Sequence, residues 1–198
     1  DPQSDPLSYR FEVFSDEALT QLVAQVPAVA SGSETTSWQV DVNLPDNHFY
    51  WWRCQADDGD DLGPWSGVAT FAVNEINNLP NVPVLVSPLN GTTIYSLSEL
   101  VIWRTTDDPD PGDRILDYHI EIDDDADFSS PLVSQEGIEV VGLPDGAGYL
   151  VGVPFAELAG IDSIKAGGWF WRIRARDSRF GYGAWSGEEG YFRTTTDY

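Results

Sequence analysis

The stretch Trp169-Phe170-Trp171-Arg172-Ile173-Arg174-Ala175-Arg176 decides the fold class. Trp169, Trp171, Ile173 and Ala175 fall on one side of an extended chain, with Phe170, Arg172, Arg174 and Arg176 on the other. That is the period of a half-buried strand. Tyr50-Trp51-Trp52-Arg53-Cys54-Gln55-Ala56 repeats the pattern, with Tyr50, Trp52, Cys54 and Ala56 inward. Two further stretches are also paired. Tyr9-Arg10-Phe11-Glu12-Val13 is answered by Tyr118-His119-Ile120-Glu121-Ile122, and Gly63-Pro64-Trp65-Ser66-Gly67 by Gly183-Ala184-Trp185-Ser186-Gly187. Matches in one order, offset by about 110 to 120 residues, describe a tandem of two related units, each the size of a compact domain.

Working outward, Ser37-Trp38-Gln39-Val40-Asp41-Val42 also alternates and reads as a strand. Turn residues separate the strands at Leu44-Pro45-Asp46-Asn47, Asp58-Gly59-Asp60 and Asp110-Pro111-Gly112-Asp113. Short helices are expected only near Glu17–Leu22 and Pro154–Leu158. The class is therefore all-β, with two sandwich modules in tandem. The boundaries fall at 1–76 for the first module, 77–83 for a linker rich in Asn and Pro, and 84–198 for the second. A longer insertion is expected around 137–166. Val84-Leu85-Val86-Ser87-Pro88 and Leu100-Val101-Ile102-Trp103 read as the opening strands of the second module. The first module starts at Asp1-Pro2-Gln3-Ser4-Asp5-Pro6, already inside the equivalent turn, so it lacks two N-terminal strands. An excerpt from a longer array accounts for this, as does a second chain that donates the strands.

Composition narrows the function. The 198 residues carry 33 acidic and 10 basic side chains, a formal net charge of −23. A surface of that sign repels phosphate, which excludes nucleic acid and anionic lipid as partners. No apolar run is long enough to span a membrane. Met is absent, so a processed chain or an excerpt is expected. The acidity is explained by divalent cations or by saline surroundings, and both place the protein outside the cell. The single Cys54 forms no internal disulfide, and by strand parity it faces the core.

Leu44, Pro45 and Tyr50 resemble the tyrosine corner of fibronectin type III domains. The Asp-rich turn, the Tyr-x-Phe/Ile-Glu-Val/Ile strand, the Trp-Arg pairs and Gly-x-Trp-Ser are similar to the variant found in bacterial secreted and surface proteins. The resemblance implies immunoglobulin-like sandwiches serving as adhesive units, spacers or enzyme appendages. Trp169 departs from it, standing where a corner tyrosine is expected.

Arg53 with Trp65, and Arg172 with Trp185, resemble the tryptophan–arginine ladder of cytokine receptors, and a sheet-stiffening role is expected for them. Trp51, Phe170, Phe180 and Tyr182 are the alternative, an exposed aromatic platform for a sugar ring. Asp107, Asp108, Asp110, Asp113 and Asp125 are candidate calcium ligands, although they do not match the EF-hand spacing. Asp1 and Asp5 are the matching acids of the first module. Solvated aspartates that bend the chain are the plainer reading. His48 and His119 lack the spacing of a catalytic or metal pair, so no enzyme is expected. The expected role is an extracellular, non-catalytic structural or adhesive module pair, within a multi-module surface protein or a fibre. Its partners are other modules or copies of itself, joined through sheet edges. The alternative is a carbohydrate-binding or spacer appendage of a secreted hydrolase.

Overall fold

The computed structural model describes residues 6–140, 146–187 and 190–198. It divides into two compact units, Asp1–Ile76 and Asn77–Tyr198.

The described residues of the first unit form a single sheet. Strand β1 (Ser8–Phe14) lies between β2 (Leu22–Ala30) and β3 (His48–Asp57), antiparallel to both. β3 is the longest of them, and two short strands share its far edge. β5 (Ala69–Val73) pairs with its first half and β4 (Leu62–Trp65) with its second. One face of this sheet is apolar. Val13, Ala24 and Tyr50 are buried there, and Trp38, Val40, Leu44, Trp52 and Phe71 pack against them half-buried. The Tyr50 hydroxyl donates to the Pro45 carbonyl at 3.2 Å, so the corner inferred from Leu44, Pro45 and Tyr50 is formed.

The second unit is a sandwich of two sheets. One, in the order β10-β9-β12-β13-β7, contains β9 (Ile115–Asp123), β10 (Val133–Ile138), β12 (Gly167–Asp177), β13 (Gly190–Thr194) and the short parallel strand β7 (Thr92–Ile94). The other, in the order β11-β8-β6, contains β6 (Val84–Ser87), β8 (Leu100–Arg104) and β11 (Leu150–Pro154). Val101 and Trp103 of β8 close over Tyr118, Ile120, Ile122, Trp171 and Ile173, all at most 1% exposed. The Trp103 and Tyr118 rings meet at 5.3 Å. The sandwich expected from the sequence is therefore complete here.

Register makes the duplication physical. Arg53 opposes Glu12 as Arg172 opposes Glu121, so β1, β2, β3 and β5 correspond to β9, β10, β12 and β13. Among the described residues of the first unit nothing corresponds to the sheet β11-β8-β6. The missing layer explains two departures from expectation. Ser37–Val42 keeps its alternation, with Trp38 and Val40 half-buried, but it forms no strand. Its counterpart β11 exists because β8 lies beside it to share hydrogen bonds. Cys54, expected in the core, is only half-buried, whereas Ile173 in the same place is sealed.

Other elements also differ from the sequence reading. Residues 17–19 form a turn that leads into β2, and Phe155–Glu157 is a single 3-10 turn. The insertion around 137–166, of which 141–145 lie outside the described residues, is not a decorating loop. It supplies β11 together with Phe155, Leu158, Ile161 and Ile164, all buried in the second core. Residues 77–83 are tied to the second unit. Asn77 Nδ2 donates to Asp177 at 3.0 Å, Asn78 N–H to Asp110 at 2.9 Å, and Asn81 Nδ2 to Asp107 at 2.9 Å.

Trp169 fills the corner position with different chemistry, its indole N–H donating to the Lys165 carbonyl at 2.9 Å. Trp171 donates to the Pro88 carbonyl at 2.8 Å. Its ring passes so close to Gly190 that a Cβ there would overlap the indole. Tyr50→Phe removes one hydrogen bond and is expected to destabilise the first unit by about 0.5–1.5 kcal/mol in denaturant unfolding, leaving the second unit's transition unmoved. Gly190→Ala should lower the second transition alone.

Candidate functional site: an arginine–aromatic face and an acidic turn

The outward side chains of β12 alternate with those of β9, because strand period 2 brings every second residue to one face. Arg172, Arg174 and Arg176 thus stand in a row on the sheet. The chain beyond β12 returns and lays Trp185 and Tyr182 between them, with Phe180 beyond Arg176 at the end. The outcome is one continuous stack. The Arg172 guanidinium carbon lies 4.1 Å from the Phe128 ring centre and 4.3 Å from that of Trp185. Arg174 lies 4.3 Å from Trp185 and 4.1 Å from Tyr182. Arg176 follows at 5.4 Å from Tyr182 and 5.8 Å from Phe180. The first unit has a shorter version. Trp65 sits between Arg53 at 4.0 Å and Arg10 at 4.8 Å, and Arg53 also covers Phe14 at 5.3 Å.

Carboxylates on the neighbouring strand fix the guanidinium planes. Glu121 accepts from Arg172 Nε at 2.8 Å and Nη2 at 2.6 Å, while Asp117 pairs with Arg176. In the first unit Glu12 accepts from Arg53 of the neighbouring strand at 2.9 and 2.7 Å, and from Arg10 of its own strand at 2.9 Å. Arg174 has no carboxylate opposite it and donates to His119 Nδ1, 3.1 Å from its Nη2. His119 Nε2 then lies 2.9 Å from Ser134 Oγ, which donates to Glu121 at 3.2 Å. Accepting from an arginine requires a neutral imidazole with its proton on Nε2. Burial, reinforced by the Arg174 charge, holds the His119 pKa below its usual value.

Arg53 and Trp65 in the first unit, and Arg172 and Trp185 in the second, thus lie in contact. Arg10, Glu12 and Phe14 in the first unit, and Arg174, Arg176, Tyr182, His119 and Glu121 in the second, belong to the same assemblies. For all but Tyr182, which lies beyond β12, parity along β1, β9 and β12 was the available signal. Phe128 gave none, since it reaches the stack from a turn in a left-handed conformation (φ 52°).

The four platform candidates are not brought together. Tyr182 is half-buried, with Arg174 4.1 Å and Arg176 5.4 Å from its ring centre, so it is engaged within the stack. Phe170 tilts against Tyr191 at 5.0 Å, and six strand residues, about 20 Å, separate it from Arg176. Trp51 lies half-buried in the other unit. Phe180 is 70% exposed at the open end of the stack.

Of the five aspartates, Asp108, Asp110 and Asp113 converge, with ligand oxygens within 4.8 Å of one another. Asp107 is occupied by Asn81, and Asp125 is exposed in the turn after β9. Asp1 and Asp5 lie outside the described residues. The trio already has structural partners. Asp110 accepts from Asn78 N–H, and Asp113 accepts from Ser178 Oγ at 2.7 Å and lies 3.0 Å from Arg179 Nε. Asp108 accepts from the Asp110 N–H at 2.9 Å, while its other oxygen is enclosed without a donor. Burial, then the charges of Asp110, Asp177 and Asp113, push the Asp108 pKa up. Calcium wants six to eight oxygens, so these three would need carbonyls or water to complete a shell.

No protein-family profile matches the chain, and no curated protein matches it. Solved structures do. Fibronectin(III)-like modules of CbhA from Clostridium thermocellum align over 98% of this chain and 81% of theirs, at 15% identity and a TM-score of 0.35. Domains FN1–FN3 of chicken CNTN1 align over 97% of this chain and 57% of theirs, at 12% identity and a TM-score of 0.32. An α-L-rhamnosidase from Dictyoglumus thermophilum aligns over 62% of this chain and 13% of its own, at 11% identity and a TM-score of 0.36. The fold itself rests on the strand order and register described above.

The geometry yields three expectations. Trp185→Ala removes two guanidinium stacks and a half-buried ring, and should cost the second unit about 2–4 kcal/mol. A neutral buried histidine with a depressed pKa stabilises the fold above the ordinary value of 6.5 and loses that contribution as pH falls. The second unit's melting temperature should therefore fall on acidification below about pH 6.5, more steeply than in His119→Asn. A raised carboxyl pKa has the opposite sense, costing stability as pH rises above the ordinary value of 3.8. Asp108→Asn is thus expected to raise the melting temperature at neutral pH in chelator. A calcium-dependent rise in the native chain, absent from Asp108→Asn, assigns the trio to the metal.

Proposed function

We propose that the chain is a pair of non-catalytic scaffold modules from an extracellular, multi-module protein, where it spaces its neighbours and joins them through sheet edges. One observation carries this reading. The side chains most suited to chemistry or ligand binding are already used within the sheet. His119 is locked between Arg174 and Ser134, and the arginines are sandwiched between rings and held by carboxylates. A face assembled in this way resists shear between β9 and β12, and its histidine and stacked arginines are already partnered. The net charge of −23 suits a protein kept soluble among other acidic surfaces in saline surroundings. Among the described residues no helix is long and apolar enough to cross a membrane.

Two measurements test this. Antibody against the chain should label the outside of intact source cells or the culture fluid, and recovery from the cytosol alone would contradict the reading. Under mechanical load the second unit should unfold at a high force that Trp185→Ala lowers. The exposed Phe180 favours a second reading, a carbohydrate-binding appendage of a secreted hydrolase. Saturable binding of an oligosaccharide that is lost in Phe180→Ala would establish it.

A further inference from the structure

We infer that the outer face of the second unit carries a binding site for a saccharide bearing a carboxylate, seated on Arg193 beyond Arg172 along the sheet, at the end opposite Phe180. The inference goes beyond the scaffold reading and does not depend on it.

The site follows from the register of three strands. Arg193 of β13 opposes Gly168 of β12 on one side and Thr93 of β7 on the other. Phe192 and Thr194 are buried, so the alternation turns Arg193 outward, onto the face that carries Phe170 and Arg172. Each outward arginine of β12 meets a carboxylate or a histidine of β9. Arg193 has no such neighbour, because the positions across from it hold a glycine and a threonine. Among the described residues its polar partner is the Tyr191 hydroxyl, which accepts from Nε at 3.4 Å, with the guanidinium carbon 5.9 Å from that ring's centre. Nη1 and Nη2 are left with no acceptor. In a chain of 33 acidic and 10 basic residues that is an exception.

A cleft of about 420 Å³ opens at this place, lined by Thr93, Gly167, Gly168, Tyr191, Arg193 and Thr195 together with Thr194. That volume lies in the range that holds a small ligand. Among the described residues no carboxylate lines it. Its walls are fixed. A Cβ at Gly168 would stand 2.4 Å from the Tyr191 hydroxyl, so glycine is what lets Tyr191 lie across the strand, and Phe170 supports the ring at 5.0 Å. Gly167 N–H donates to Thr194 Oγ1 at 3.2 Å, and that hydroxyl donates to the Lys165 carbonyl. The lining dictates the ligand. A guanidinium takes a carboxylate in two parallel hydrogen bonds, as Arg172 takes Glu121. Threonine hydroxyls both donate and accept, which suits the hydroxyls of a sugar ring, and Tyr191 supplies apolar carbon beside them. A uronic acid unit carries all of these complements. The net charge of −23 does not forbid it, since charges farther away than about 8 Å are largely screened at physiological ionic strength and the acid-free lining decides.

Calorimetric titration of the 198-residue chain with trimers of galacturonate, glucuronate and mannuronate tests the site. At least one trimer should bind saturably, one per chain, and its methyl ester should bind about tenfold more weakly or worse. Arg193→Gln should weaken the acid by the same order while leaving both melting transitions in place, because no ion pair within the described residues is lost. Arg193→Lys keeps the charge but not the fork, and should recover only part of the affinity. The inference is overturned if none of the trimers binds, if the ester binds as well as the acid, or if Arg193→Gln binds as the native chain does. Acetate that competes as strongly as the trimer also overturns it, since a carboxylate alone would then suffice. So does self-association in sedimentation that Arg193→Gln abolishes, because a carboxylate of a second copy would then be the occupant. Localisation and force judge the scaffold reading separately, so either can fail alone.

Discussion

A β-sheet with one apolar face needs a second layer, and nearly every feature of this chain follows from whether that layer is present. In the second unit the strands β6, β8 and β11 provide it, and burial is complete from Tyr118 to Phe192. Trp103 of one sheet against Tyr118 of the other is the contact through which the two layers meet. In the first unit the same strand register builds the same face, but apart from Val13, Ala24 and Tyr50 the side chains on it remain half-buried. The difference lies not in the quality of the strands but in what lies across from them.

On the opposite face the two units converge. There the sheet is closed by interleaved rings and guanidinium groups rather than by a second sheet. Each stacked arginine is paired with a carboxylate or histidine, on the neighbouring strand for all but Arg10, whose partner Glu12 lies on its own strand, and each is covered by aromatic carbon. Arginine suits this position because its flat, weakly hydrated head stacks while its edge still donates. The stack has four members in the first unit and seven in the second, where β12 carries three arginines in alternation. It also explains why the aromatic residues of this face make a poor platform for a ligand, since most ring faces are already occupied. The acidic turn shows a related economy. Asp107, Asp110 and Asp177 accept from Asn81, Asn78 and Asn77 and so fasten residues 77–83 to the second unit.

The sequence by itself determined the strands β1, β3, β9 and β12 and the likeness between them, because a strand's side chains alternate regardless of its neighbours. The corner at Tyr50 and the pairing of Arg53 with Trp65 and Arg172 with Trp185 were legible for the same local reason. What only the tertiary structure decided is everything that needs a partner distant in sequence. Ser37–Val42 has the pattern of a strand and is not one, since a ladder requires a neighbour to accept its hydrogen bonds. Residues 150–154 became a strand and 155–164 became core because β8 and the second layer were there to receive them. Tyr182, read as an exposed ring, is half-buried against Arg174 and Arg176. Of five aspartates only three converge, because strand ends and turns, rather than spacing along the chain, set which carboxylates meet. Alternation is a property of one strand, whereas burial, stacking and convergence belong to pairs of elements, and only the folded chain brings those pairs together.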